Sequence, residues 1–160
     1  MKEYNLSESI LIFGQNVNIA RKRKNLDICE LSLKAHYDRN NLSRLKYGEH
    51  NISCKAAINI ARALNVSFPQ LFSRNFFDES EKIFFEDDFL RVYSENIKRE
   101  LKMRGIIQSH IYIESGIQEA SVSRILNGKN KNPTLQTLSL IAGVVDNDLT
   151  NLFSRSTERG

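Results

Sequence analysis

Arg39, Asn40 and Asn41 stand side by side, and Ser43 and Arg44 follow within one helical turn. An arginine can grip guanine through two hydrogen bonds, and an asparagine can grip adenine in the same way. That is the chemistry by which side chains read base-pair edges. A second polar cluster lies about eighty residues further on: Gln118, Glu119, Ala120 and Ser121, then Ser123 and Arg124. It is the poorer reader, because Glu119 repels phosphate, although its carboxylate can accept from the amino group of cytosine. Asn127, Lys129 and Lys131 follow, donors of the kind that meet a sugar–phosphate rail. Each cluster has a plainer account as a solvated helix face, and the lysines as an ordinary exposed turn. Little else in the chain promises chemistry. The three histidines are scattered, and no nucleophile–base pair, phosphate-cradling glycine loop or metal cluster accompanies them. Neither catalysis nor a cofactor is expected. Cys29 and Cys54 form no CxxC pair and are expected to be buried or half-buried thiols in a reducing cytosol. His50 and Cys54 are spaced to share a helix face, but two ligands do not close a zinc site.

The elements that must position these clusters come in two copies. Val17 answers Ile97, Leu26 answers Ile106, Ser43-Arg44 answers Ser123-Arg124, and Gly48 answers Gly128. After a one-residue slip, Ile60-Ala61 answers Ile141-Ala142 and Leu71-Phe72 answers Leu152-Phe153. A repeat of roughly 60 residues is long enough to close a small core of its own. The organisation expected is a first domain over 1–75, a connector over 76–90 and a second domain over 91–160.

Apolar residues recur at helical spacing in both copies, and β-branched alternation is absent. In the second copy Tyr93, Ile97 and Leu101 form one stripe, stopped at Gly105. A second helix from Gln108 buries Ile111 and runs to Gly116. A third, from Gln118 or Glu119, turns Val122, Ile125 and Leu126 inward. Pro133 and Thr134 open a fourth, and Leu149, Leu152 and Phe153 form a short fifth. The first copy repeats this with Phe13, Val17 and Ala20, then Leu31 and Ala35, then Leu42. Its fourth helix carries Ala57, Ile60, Ala61 and Leu64, and Phe68, Leu71 and Phe72 close it. Asp27, Asp38 and Ser53 are the expected caps of its second, third and fourth helices, and Tyr37 and Leu42 a hydrophobic staple.

Charge sharpens the division. Residues 1–75 carry a balance of +6, residues 76–90 a balance of −5 and residues 91–160 a balance of +3. Two basic units flanking an acidic joint suit a polyanionic partner. No apolar run reaches the roughly 20 residues of a membrane span. The opening MKEYNLSESILIF carries acids ahead of a very short apolar stretch, unlike a secretory signal. The expected setting is cytoplasmic and nucleoid-associated, with no membrane partner.

A tight helix–turn–helix within five helices resembles the phage Cro/repressor type, also called XRE-like. The second copy, RGIIQSHIYIESGIQEASVSRILNGKNKNP, matches the family pattern at Gly105, Gln108, Gly116, Ser123, Ile125 and the Asn127-Gly128-Lys129 turn. The first, KNLDICELSLKAHYDRNNLSRLKYGE, matches at Leu26, Leu31, Ala35, Leu42, Ser43 and Gly48. The full copies, 13–72 and 93–153, together cover about three quarters of the chain. The resemblance implies an all-α fold of two tandem lambda-repressor-like helix-turn-helix domains joined by an acidic, Phe-rich connector. It implies major-groove binding to double-stranded DNA. The first turn of each third helix then becomes the reader: Arg39, Asn40, Asn41, Ser43 and Arg44 in one copy, Gln118, Glu119, Ser121, Ser123 and Arg124 in the other. Gln108 stands where the family commonly grips a phosphate, and Asn127, Lys129 and Lys131 follow in the loop.

The copies also depart from the family pattern. Ile28 stands at the helix-2 glutamine position of the first copy, and His36 at the turn position usually given to glycine. The family's pairing of an arginine late in helix 1 with a glutamate ending helix 3 is replaced by Arg21 with Lys46, and by Leu101 with Leu126. Arg21 and Lys46 are therefore expected to be exposed, and Leu101 to pack on Leu126. In the connector, Phe76, Phe77, Phe84, Phe85 and Phe89 are too many rings for a free linker and are expected to pack onto both units. A homodimer contact through the same rings is the alternative. The function implied is a repressor of phage, mobile-element or bacterial operon type. The competing reading is a protein-binding module, such as an antitoxin-like or anti-repressor partner.

Overall fold

Short capped helices follow one another in the order that the apolar spacing predicts. The structure, a computed structural model, describes residues 7–76 and 89–155. The first half runs α1 (Glu8–Arg23), α2 (Ile28–Ala35), α3 (Arg39–Leu45), α4 (Cys54–Leu64) and a 3-10 helix (Pro69–Phe72). The second runs α5 (Phe89–Arg104), α6 (Ser109–Ser115), α7 (Glu119–Leu126), α8 (Leu135–Val144) and α9 (Leu149–Leu152). Among the described residues the fold is all helical, with no strand element. The fifth helix of the first half was expected to match that of the second. It is a 3-10 turn instead, four residues long with Pro69 at its start, where the equally short α9 is α-helical.

Local chemistry sets the boundaries. The Asp27 carboxylate accepts from the Glu30 amide and Glu30 accepts from the Asp27 amide, a capping box on α2. Asp38 caps α3 through the Asn41 amide, Ser53 caps α4 through Ala56, and Thr134 caps α8 through Thr137. The positive-φ residues of the described chain fall into four equivalent pairs: Asn25 and Gly105, His36 and Gly116, Gly48 and Gly128, Asn65 and Asp146. Each turn is therefore repeated in conformation even where glycine has been replaced. His36 takes φ 54° where Gly116 takes 78°, the left-handed backbone that a histidine tolerates at some cost.

The two halves share one apolar cluster. Phe13, Val17 and Ala20 of α1 and Tyr93, Ile97 and Leu101 of α5 are all buried in it, as are both Leu101 and Leu126. At its centre the Phe13–Phe72 ring pair (5.2 Å) is matched by Tyr93–Phe153 (5.4 Å). Phe72 and Phe153, equivalent residues, also meet each other at 5.6 Å. Of the connector aromatics, Phe89 is buried, opens α5 and lies 5.0 Å from the Phe68 ring. Phe76 packs half-buried on the core beneath the Arg23 guanidinium. Phe77, Phe84 and Phe85 lie outside the described residues.

A second junction joins the loops that precede α4 and α8, where Ser53 and Thr134 form an isolated antiparallel bridge. Its bonds are reciprocal. Cys54 N donates to Pro133 O and Leu135 N to Ile52 O, both at 2.8 Å. One residue further out, Lys55 N donates to Asn132 Oδ1 (2.8 Å) and Gln136 N to Asn51 Oδ1 (3.3 Å). Residues 51–55 answer 132–136 in the repeat, so each contact is made twice with the partners exchanged. That is the signature of an isologous, two-fold interface, here within one chain.

Candidate nucleic-acid interface

The turn between α2 and α3 is held tightly. The Tyr37 amide donates to Ser32 O, as does the left-handed His36 amide, and the Ser32 hydroxyl donates to Tyr37 O. Burial and the Asp38 charge push the Tyr37 phenol up to about 12, so it stays neutral. On α3, Leu42 and Leu45 are buried while Arg39, Asn40 and Arg44 are exposed and Asn41 and Ser43 half-buried. On α7 the order is the same: Glu119, Ala120 and Arg124 exposed, Ser121 and Ser123 half-buried, Val122 and Ile125 buried. Two short helices thus present matching polar faces outward from matching apolar bases.

Some of these side chains are pre-positioned. Arg39 Nη1 donates to Cys29 Sγ at 3.3 Å, which ties the first residue of α3 back to α2. Arg44 Nη2 reaches Glu49 O at 3.3 Å. Asn127 Nδ2 donates to Ser123 Oγ at 3.2 Å. The loop carrying Lys129 folds back on α7 through the Lys129 and Asn130 amides, both donating to Arg124 O. Lys129 and Lys131 are exposed. Gln118 is exposed at the N-cap of α7 with no side-chain cap, leaving its amide available. Gln108, half-buried, opens α6 and donates from Nε2 to Tyr112 Oη at 3.0 Å.

Several expectations are corrected. Arg21 is half-buried, because its guanidinium holds the α1–α2 turn: Nη1 donates to Leu26 O (2.7 Å) and Nη2 to Asn18 Oδ1 (2.8 Å). Lys46 is also half-buried, with Nζ 5.2 Å from the Tyr47 ring centroid. Cys29 is exposed, since it falls on the outer face of α2; only Cys54 is buried, and burial pushes its thiol up to about 12. His50 lies in the loop before α4, not on a helix face shared with Cys54. It tilts on Tyr37 at 5.8 Å. Its partial burial and the Arg44 charge lower its pKa, against the pull of Asp38. No group of three or more metal-ligating side chains is gathered among the described residues, and no described helix is long and apolar enough to cross a membrane.

Similarity to known proteins is slight. Over 60 residues, about the length of one half, the chain is 40% identical to protein P2 of Acyrthosiphon pisum secondary endosymbiont phage 1. That match covers 38% of this chain and 64% of the phage protein, whose name states no activity. No family model matches, and no solved structure matches.

Sequence reasoning passed over two residues that hold the scaffold. Asn16 on α1 is buried, and its amide donates to Leu71 O (2.9 Å) and Ser73 O (2.8 Å). Asn96 on α5 does the same for Leu152 O (2.8 Å) and Ser154 O (3.0 Å). Each satisfies carbonyls at the end of the closing helix and clamps it to the first. The signal was present, because a polar residue recurred at one register of both repeats.

Proposed function

We propose that this chain is a sequence-specific reader of double-stranded DNA, a transcriptional repressor of phage, mobile-element or bacterial operon type. In this reading residues 1–75 and 91–160 are helix-turn-helix domains of the Cro/repressor kind, joined by 76–90. The helices α3 and α7 enter the major groove, where each base pair carries a distinct set of donors and acceptors. Arg39, Asn40, Asn41, Ser43 and Arg44 read bases on one side, and Gln118, Glu119, Ser121, Ser123 and Arg124 on the other. Gln108, Asn127, Lys129 and Lys131 hold the phosphate rail. No catalytic step is involved. The observation carrying the reading is the matched outward exposure of the first turns of α3 and α7, each on a buried apolar base and each in a basic half of the chain.

A selection from random duplexes at moderate salt tests it. The proposal predicts an enriched motif, and an affinity whose log–log slope on salt is about −0.9 per phosphate contacted. An unenriched pool, or an affinity indifferent to salt, would contradict it.

One observation favours the protein-binding alternative. Leu33 on α2 and Ile113 on α6, equivalent positions, are each 75% exposed. A stoichiometric complex with the product of an adjacent gene, abolished by Leu33→Ser with Ile113→Ser, would establish that reading if the duplex selection returned nothing.

A further inference from the structure

The reciprocal seam bears on how DNA would be met. Two pairs of equivalent residues touch their own counterparts: Ser53 with Thr134 at the loop bridge, and Phe72 with Phe153 in the core. Equivalent residues meet only beside the axis that relates the copies, and the exchanged bonds of the seam make that axis an approximate two-fold. A rotation about an axis leaves the component of any direction along that axis unchanged. The outward faces of α3 and α7, related by this dyad, therefore share whatever component they have along the axis, which is what two heads meeting one duplex require. Each precedes, by one short loop, its own residue of the bridge, Ser53 or Thr134.

The two faces nevertheless differ in chemistry. Arg39 occupies the position of Glu119, Asn40 that of Ala120, and Asn41 that of Ser121. Guanine and adenine suit the first set, and a cytosine amino group suits Glu119.

Resting on the DNA-binding reading above, we propose that one chain is a complete two-headed reader. It takes a site built of two unequal half-sites about one helical turn apart, approximately 34 Å, on one face of the duplex. A homodimer with identical heads reads a palindrome. This internal pseudo-dimer reads a directional site, with α3 over one half and α7 over the other, and needs no second copy of itself.

The test uses the full chain and the duplex it selects, in a length of about three turns. Native mass spectrometry should find one chain per duplex. The enriched motif should contain two dissimilar halves. Arg39→Ala, an exposed substitution, should relax preference in one half only, and Glu119→Ala in the other only. Inserting about half a turn between the halves moves them to opposite faces. It should then cost the tethering gain, roughly 10² to 10⁴-fold in affinity. Two chains on a palindrome, or a motif confined to one half and indifferent to the insertion, would overturn the inference and leave DNA binding standing. A pool without enrichment would remove both.

Discussion

The two halves of this chain share a backbone programme and differ in what they place upon it. Turn conformations, the clamping asparagines and the exposure pattern of α3 and α7 recur position by position. What differs is how close the helices approach and which side chains face out. Gly14 lets α1 sit hard against the end of α3, since a Cβ there would lie 1.8 Å from the Leu45 carbonyl oxygen. Its counterpart Ser94 keeps α5 further from α7 and donates instead to Ile125 O at 3.1 Å. Leu11 packs against Gly48, and the Ser7 amide reaches Gln136 Oε1 at 2.8 Å, so α1 lies against α8. On the opposite side a cleft of about 640 Å³, flanked by Lys55, Lys98 and Lys131, separates α4 from α5. The central seam is thus close to two-fold, while the outer helix contacts and the exposed surfaces are not. A duplicated fold can keep its architecture while its outward residues specialise.

The largest effect is expected where the halves interlock. Phe153 is fully buried and touches Phe68 and Phe72 of the first half and Tyr93 of the second. Phe153→Ala should cost about 4 kcal/mol. Urea unfolding should still show one transition for both halves; a second half melting alone would break the picture of a shared core. Next comes the contrast at the first helices. Gly14→Ser forces a side chain into backbone and should cost about 3 kcal/mol. Ser94→Ala loses one hydrogen bond, about 1 kcal/mol. Equal losses in urea titrations would mean that the closer approach of α1 has no energetic consequence. On the DNA side, Arg39→Ala should remove about 1–3 kcal/mol of base discrimination at one position. Lys129→Ala should instead weaken all duplexes alike and lower the salt slope by about 1. Competition binding at several salt concentrations separates the two.

The smallest effect concerns His50, which the second half lacks. Burial and Arg44 lower its pKa from 6.5, with Asp38 opposing and the Tyr37 ring alongside. The folded state therefore favours the neutral ring. The stability so contributed is present above 6.5 and is lost as pH falls through the lowered value. An imidazole NMR titration should place His50 below 6.5, and Arg44→Ala should move it upward. A midpoint at or above 6.5 would contradict this.

The helices were legible in the sequence because each is short, capped and striped at 3.6-residue spacing, with Asp27, Asp38 and Ser53 as N-caps. His36 was legible as a turn because the family pattern gives that position to glycine, as Gly116 does in the second copy. Arg21 was misplaced, since nothing in its spacing tells that the guanidinium folds back on the Leu26 carbonyl instead of extending into solvent. The dyad was out of reach for a related reason. It depends on backbone amides meeting across residues 51–55 and 132–136, and pairing between distant loops leaves no periodicity in either. The recurring Asn51 and Asn132, each two residues before a helix cap, were the one trace of it.

Amide hydrogen exchange of the full chain with and without its selected duplex tests the central claim most directly. The account predicts slowed exchange in one complex over both α3 (Arg39–Leu45) and α7 (Glu119–Leu126), with the loop carrying Lys129. Protection that spared both helices and fell instead on the outer faces of α2 and α6, around Leu33 and Ile113, would contradict it.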